Sequence, residues 1–441
     1  MGSLLSMRPR AATILLTWVV LSVAACRPGP LPHAQSPAPQ PDRPAETRAE
    51  PASAPGRTSR VLQTAASVPV PLQVPQQFRR GVLAQPRTIT LPPGFQIGVF
   101  AAGLGTPRSM TISPEGVVYV TIPTEGRIVA LIDADGDGVA ERMENAATGL
   151  QCPYGMAFLE GYLYVAQTTR IVRYQYTPGQ VRLGPGEVVV SGLPQTGCGP
   201  HHFRPLVIDW SHTIFTAVGS TCNVCVERDP RHGTVLRFGL DGQGGIFATG
   251  LRNAVGLTID PNTGQVWAVV NERDYLGDDI PEDMVTIVYE GADYGWPYCY
   301  LANGQWQRDT RVPPRPGGCE GLTPPTVGIQ AHSAPLGLTF YLAEQFPPEF
   351  RGSLFVGLHG SWNRSEGTGF KVIRIPFVDG RPQPPEDFAT GWLTGPRGPN
   401  DAWGRPVEPL VAKDGSLLVS DDRAGAIYRI WYAGKVATAK R

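Results

Sequence analysis

From about Leu91 onward the chain repeats one pattern of apolar and polar positions. Each copy has a short polar or proline-containing approach, an apolar strand, a turn, a second apolar strand and often a third. Pro107-Arg-Ser-Met-Thr-Ile, Gly116-Val-Val-Tyr-Val and Arg127-Ile-Val-Ala-Leu-Ile make the first copy, and Pro153-Tyr-Gly-Met-Ala-Phe, Tyr162-Leu-Tyr-Val and Arg170-Ile-Val-Arg-Tyr the second. A third runs from His201 through Thr213-Ile-Phe-Thr-Ala-Val to Gly233-Thr-Val-Leu-Arg-Phe. The others open at Arg252-Asn-Ala-Val-Gly-Leu, Ala334-Pro-Leu-Gly-Leu-Thr-Phe and Arg405-Pro-Val-Glu-Pro-Leu. Six imperfect copies of a multi-strand unit in roughly 345 residues predict an all-β fold, a six-bladed β-propeller over residues 88–434. A β-sandwich would not need the same unit six times. Longer insertions at about 276–333 and 361–369 are where loops would cover a site.

Composition agrees. Glycine (52) and proline (45) are abundant, charged residues make up 17%, and no helix-length stripe of 3.6-residue period stands out in the second half. Formal net charge is zero and no block of like charge occurs, so nothing points to nucleic acid. The N-terminus differs from the rest. A basic start at Met7-Arg-Pro-Arg10 precedes a fifteen-residue apolar run, Ala11 to Ala25, too short to span a bilayer and suited to a signal-peptide core. It ends in Val23-Ala-Ala-Cys26, which resembles a bacterial lipobox. Residues 1–26 are therefore expected to be a signal segment with a lipid anchor at Cys26, or else an ordinary secretory signal. Residues 27–87, rich in Pro, Ala, Ser and Arg, read as a disordered tether. The expected location is the periplasm or cell surface. An exported chain can pair its remaining six cysteines. Spacing favours Cys299–Cys319, with Cys222–Cys225 and Cys152–Cys198 as guesses. The Cys222-Asn-Val-Cys225 run could instead be half of a zinc site or a redox pair, although no second such motif accompanies it.

In a propeller the first strand of every blade borders the axis, so the residues leading into those strands converge. They are Arg108, Tyr154, His201, Arg252 with Asn253, His332 and Arg405. The far ends of the second strands add Thr121, Gln167, Ser220, Asn271 with Glu272, His359 and Asp421 with Asp422. Histidines, arginines and carboxylates on one face suit a small polyanion. A lone arginine would be a solvated loop charge; recurrence at equivalent positions favours a site. Separately, Asp133-Ala-Asp-Gly-Asp-Gly-Val-Ala-Glu-Arg-Met-Glu144 matches a twelve-residue calcium loop, with Asp133, Asp135 and Asp137 at alternate positions and Glu144 at the twelfth. No flanking helix pair is evident, so this would be a structural calcium; an Asx-rich turn is the alternative.

Four motifs carry a family resemblance: Gly250-Leu-Arg-Asn-Ala-Val-Gly-Leu257, Tyr294-Gly-Trp-Pro297, Leu354-Phe-Val-Gly-Leu-His-Gly-Ser-Trp-Asn363 and Trp403-Gly-Arg-Pro-Val407. The chain resembles the pyrroloquinoline quinone (PQQ) dependent glucose/sorbosone dehydrogenases, soluble aldose and pyranose dehydrogenases with six blades. The resemblance covers about 88–434. It implies that His201 is the general base, with His202 as the neighbouring candidate. It also implies that Arg252 and Asn253 contact the quinone oxygens, that His359 and Arg405 bind PQQ, and that Glu272, Arg273 and Asp274 hold Ca2+, partly through backbone carbonyls; His332, from its place among the converging residues, is a further cofactor-binding candidate. The implied activity is oxidation of an aldose, aldosone (sorbosone-like) or similar small sugar, with electrons passing to a quinone or a c-type cytochrome. Where the family pairs its base with an aspartate, this chain has Ser220-Thr-Cys222. A lactonase-like metal hydrolase and a non-catalytic propeller binding envelope glycans or proteins are the readings from other classes.

Overall fold

Strands that alternate over five or six residues and end in tight turns pair with their chain neighbours, and the computed structural model has this pairing throughout. Residues 66–194, 197–199 and 201–434 are described. Six four-stranded antiparallel sheets follow one another along the chain, the blades of a six-bladed β-propeller. Their innermost strands are Met110–Ile112, Met156–Leu159, Leu206–Ile208, Ala254–Ile259, Pro335–Phe340 and Pro406–Val411. The sixth blade is completed by chain from the other end. Phe95–Ala102 pairs with Ala426–Tyr432, Phe95 opposite Tyr432 and Ala102 opposite Ala426, which closes the ring. Phe95 is fully buried, with ring centroids 4.7 Å from Phe346, 5.3 Å from Phe388 and 5.2 Å from Tyr432. Truncating it would cost about 3–5 kcal/mol.

Where inner strands crowd the axis, side chains must be absent. A Cβ on Gly256 would lie 2.4 Å from the Leu336 carbonyl oxygen of the next blade. Below the approach residues Val255, Leu336 and Val407, all buried, form an apolar cluster. The outer strands, such as Arg142–Ala147 and Gly186–Ser191, are largely exposed and carry little alternation, so the repeat as read from sequence stops at three strands.

The packed unit begins before residue 88. Val68–Pro71 pairs with Thr88–Leu91, and Val70, Leu72, Phe78 and Leu83 are buried in the largest core cluster. The expectation of a disordered tether to residue 87 is corrected for 66–87. Prolines break the segment into single anchoring residues, and no period of two or 3.6 shows. The signal segment, Cys26 and the tether before residue 66 lie outside the described residues. Among the described residues no helix is long and apolar enough to cross a membrane. Among the described residues the disulfides are Cys152–Cys198, Cys222–Cys225 and Cys299–Cys319, so the Cys222 and Cys225 sulfurs are not available as zinc ligands.

Candidate active site

The approach residues converge as the repeat requires. A cleft of about 320 Å³ at one end of the axis is lined by Arg108, His201, Arg252, Asn253, His332, His359 and Arg405, with Glu272 and Asp274 among the acids. Tyr154 instead stacks on Phe203 at 4.7 Å and borders a separate cavity deeper along the axis.

His201 reaches the cleft because Gly219 lets the chains approach: a Cβ there would lie 2.6 Å from Asn253 Oδ1 and 2.7 Å from the His201 carbonyl. Its Nδ1 lies 3.0 Å from the Ser220 carbonyl and 2.9 Å from Ser220 Oγ. The Ser220 hydroxyl donates to the Cys222 carbonyl at 2.8 Å, so both atoms facing Nδ1 are acceptors. Nδ1 therefore carries the proton and Nε2 the lone pair. Burial, then the Arg252 charge, pushes the imidazole pKa down to about 4, keeping it neutral. Ser220 thus supplies by backbone and hydroxyl the orienting contact that an aspartate would supply by charge. His202 does not line the cleft, and its Nδ1 is buried without a partner among the described residues.

Arg252 is 4% exposed and donates to five oxygens. Nε reaches the Asn223 carbonyl (3.1 Å), Nη1 the carbonyls of Asn271 (3.2 Å) and Glu272 (2.7 Å), and Nη2 Asn223 Oδ1 (3.1 Å) and Asp274 Oδ2 (3.1 Å). Its N–H groups are all committed to protein. It therefore holds the Asn271–Asp274 segment against the Cys222–Cys225 loop, and what it offers a ligand is charge. Asn253 is the converse: it is 4% exposed, lines the cleft, and its side-chain amide makes no hydrogen bond among the described residues.

Two walls of opposite character face the cavity. On the cationic wall His359 Nε2 donates to Asp422 Oδ1 (2.9 Å), and Arg108 pairs with Asp422 Oδ2 (2.6 Å). Burial pushes His359 down to about 4. Burial also lifts Asp422, but His359 and Arg108 outweigh it and hold that carboxyl well below the usual range. Arg405 donates through Nε to the His359 carbonyl (3.0 Å) and through Nη2 to the Gly360 carbonyl (2.7 Å). Its Nη1 has no partner among the described residues, which leaves a cationic edge toward the cleft.

On the acidic wall Glu272 Oε1 is buried with no hydrogen-bond partner among the described residues. Burial pushes Glu272 up to about 8 and the adjacent Asp283 up to about 7. Asp283 accepts from the Glu272 amide (2.9 Å) and the Ala334 amide (2.9 Å). Ala334 (φ 53°) and His332 (φ 65°) both sit in the left-handed region, strain of about 1–3 kcal/mol each that clusters at this wall. His332 Nε2 donates to the Gly277 carbonyl at 2.9 Å.

The predicted metal set divides. The Arg273 side chain turns away into a buried ion pair with Asp309, so only its backbone carbonyl, which accepts no hydrogen bond among the described residues, remains a donor atom. Asp274 is taken by Arg252 and by Asn363 Nδ2 (2.8 Å). Glu272 stays unmet, and Asp283, absent from the sequence reading, joins it. In the surface loop Asp133, Asp135, Asp137 and Glu141 bring their oxygens within 4.8 Å of one another. Glu144 is not in that group: it lies in the outer strand and pairs with Arg142, because the chain turns into a strand where a calcium loop would enter a helix. Asn223, Asp283 and Asn363 were missed in the sequence because each lies off the repeat positions. The loop lengths around Cys222 and after His359 were the available signal.

The fold and cleft define a propeller with a polar axial site lined by both cationic and acidic groups. The TrAA12-like family profile matches residues 89–433, and the chain belongs to that family, of the PQQ-dependent sugar dehydrogenase type its motifs resemble. It is 26% identical to an uncharacterized protein of Borreliella burgdorferi over 78% of this chain and 91% of that one. It is 25% identical to a PQQ-dependent pyranose dehydrogenase of Coprinopsis cinerea over 76% of this chain, and spans 54% of that protein's length. The holo PQQ domain of the Coprinopsis pyranose dehydrogenase has a TM-score of 0.68 at 21% identity, covering 82% of this chain and 98% of that domain. The calcium structure of a Trichoderma reesei AA12 enzyme scores 0.66 at 20% identity, covering 78% and 97%. At such identities these structures speak for the fold.

Proposed function

We propose that the chain is a PQQ-dependent, calcium-assisted dehydrogenase of small sugars, an aldose, aldosone or similar substrate. The observation that carries this is His201: neutral, its Nδ1 proton tied to Ser220, its Nε2 lone pair available in the same cleft as the open edge of Arg405. The residues fit the cofactor. PQQ bears carboxylates, and Arg405 and Arg108, beside the neutral His359, supply positive charge for them, while the unpaired Asn253 amide can meet a carbonyl oxygen. They fit a hard cation as well. The orphan Glu272 carboxylate, Asp283 and the Arg273 carbonyl are oxygen donors, and a cation beside Glu272 and Asp283 would favour their ionised forms. When bound, the quinone supplies the hydride acceptor and calcium a Lewis acid.

The chain's own part is positioning and proton transfer. His201 Nε2 takes the proton of the hydroxyl being oxidised, and Ser220 fixes the ring as it becomes charged. An anion bound against Arg252 offsets the charge that depresses His201 and raises its pKa toward neutrality. Electrons would leave to a quinone or a c-type cytochrome, and the export signal with Cys26 would place the enzyme on the periplasmic or outer face of a bacterial membrane. The test is titration of the full chain with PQQ and Ca2+, followed by aldoses with a dye acceptor. Saturable quinone binding with sugar-dependent bleaching is expected. No quinone binding with Ca2+ present overturns the proposal, and calcium-dependent ester hydrolysis would replace it with the hydrolase reading.

A further inference from the structure

We propose that Trp362 and Tyr275 form a stacking platform for a second sugar ring at the mouth of the cleft, so that the favoured substrate is a di- or oligosaccharide whose terminal ring enters beside His201. The inference rests on the sugar-oxidising reading above for the terminal ring, but the platform can be tested without turnover.

Trp362 is 59% exposed and lines the cleft; Tyr275 is 66% exposed and meets it edge-on, centroids 5.8 Å apart at 86°. Scattered exposed aromatics need no explanation. These two are not scattered, because they come from insertions of adjacent blades that are zipped together near the pair. Asn363 Nδ2 donates to Asp274 Oδ1 (2.8 Å), the Ser365 amide to Asp278 Oδ1 (3.1 Å), and Arg364 to the Asp278 carbonyl. His332 ties down Gly277 on the same insertion. The two insertions that carry the pair are tied together by polar contacts that do not involve the rings, and both rings stay more than half exposed.

A second observation points to a hydroxylated ligand. Asn363 Oδ1, on the residue after Trp362, is buried, has no partner among the described residues, and belongs to a cleft-lining side chain. An unmet buried acceptor costs about 1–3 kcal/mol, and a ligand hydroxyl would satisfy it where an apolar ligand would not. An apolar face beside an oxygen acceptor matches a pyranose, with its C–H face on the ring and its hydroxyls at the edge. The space argues the same way. A cleft of about 320 Å³ is close to the lower limit for one drug-sized ligand, so with a cofactor inside, any ring beyond the one being oxidised lies at the mouth.

The experiment is calorimetric titration of the full chain, alone and loaded with PQQ and Ca2+, with D-glucose, maltose and cellobiose. At least one disaccharide is expected to bind more tightly than glucose. Trp362→Ala should weaken that disaccharide about tenfold and Trp362→Phe by less, with PQQ affinity from quinone absorbance unchanged in both. Equal disaccharide affinity in Trp362→Ala and wild type, or no disaccharide preferred over glucose, overturns the platform. Trp362-dependent binding without sugar oxidation would keep the platform and reject the dehydrogenase reading. Sugar oxidation indifferent to Trp362 and to chain length would do the reverse.

Discussion

Two acidic clusters of this molecule have the same residue types and different surroundings. In the surface loop every carboxylate already has a donor from the loop's own backbone. Gly136 and Gly138 give theirs to Asp133 (2.8 and 2.9 Å), Asp137 to Asp135 (3.1 Å), Val139 to Asp137 (2.8 Å) and Ala134 to Glu141 (2.7 Å). Three of its four acids are exposed, so water completes what the amides leave. On the cleft wall Glu272 is buried, one of its oxygens has no partner, and Asp283 raises its pKa further. A carboxylate without water or donor must bind a proton or a cation. The loop with the better sequence motif therefore has the weaker need for an ion, because need is set by desolvation and a motif records only spacing.

The largest expected effect separates chemistry from architecture inside the cleft. His201→Asn should lower kcat by about 10²–10⁴-fold while leaving the PQQ absorbance titration unchanged, and a full-rate variant would remove His201 from the mechanism. In wild type, kcat/KM should rise with pH through an ionisation between about 4, the value in the free chain, and the ordinary histidine value of about 6.5. Next is Arg252→Ala. It leaves Asp274 and three backbone carbonyls without their buried donor and should cost about 3–5 kcal/mol in urea denaturation. A variant of wild-type stability would show that Arg252 is not the clamp of the acidic wall. Arg405→Ala should weaken PQQ by about 10–100-fold, since its open edge is what a ligand carboxylate would engage, and should cost less stability than Arg252→Ala, since it strips two carbonyls, those of His359 and Gly360, of a donor.

The comparison itself turns on metal and pH. Glu272 and Asp283 have folded pKa values raised to about 8 and about 7, above their unfolded values. Their stability contribution is fully present below about pH 4 and is lost as pH rises through 7 to 8. Chelator-treated protein should therefore lose Tm between pH 6 and 9. Ca2+ should restore it most at the alkaline end, and Glu272→Gln should flatten the slope. A Ca2+ effect independent of pH and of Glu272 would break the distinction between the clusters. The smallest effect belongs to the surface loop: Asp135→Asn should change stability by no more than about 0.5 kcal/mol in the absence of metal.

The repeat was legible because strand alternation and turn residues are local. The blade count followed, and with it the convergence of Arg108, His201, Arg252, His332, His359 and Arg405 on one cleft, since equivalent positions in a closed ring must meet. The outer strands and the early start at residue 66 were not legible. Exposed strands lose alternation, and a proline-broken segment buries single residues such as Phe78 and Leu83 without a period.

The family resemblance nominated His201 as the base, but only the Ser220 carbonyl and hydroxyl, with the hydroxyl proton given to Cys222, decide which of its nitrogens carries the proton. Sequence placed Arg252 in the site; packing committed its donors to Asn223, Asn271, Glu272 and Asp274. The chain by itself determined which groups reach the axis, because position in a repeat is a property of order along the chain. Which groups remain unsatisfied there, Glu272 Oε1, Asn363 Oδ1 and the open edge of Arg405, was decided by tertiary structure alone. Hydrogen bonding and desolvation depend on neighbours that are dozens of residues away in sequence.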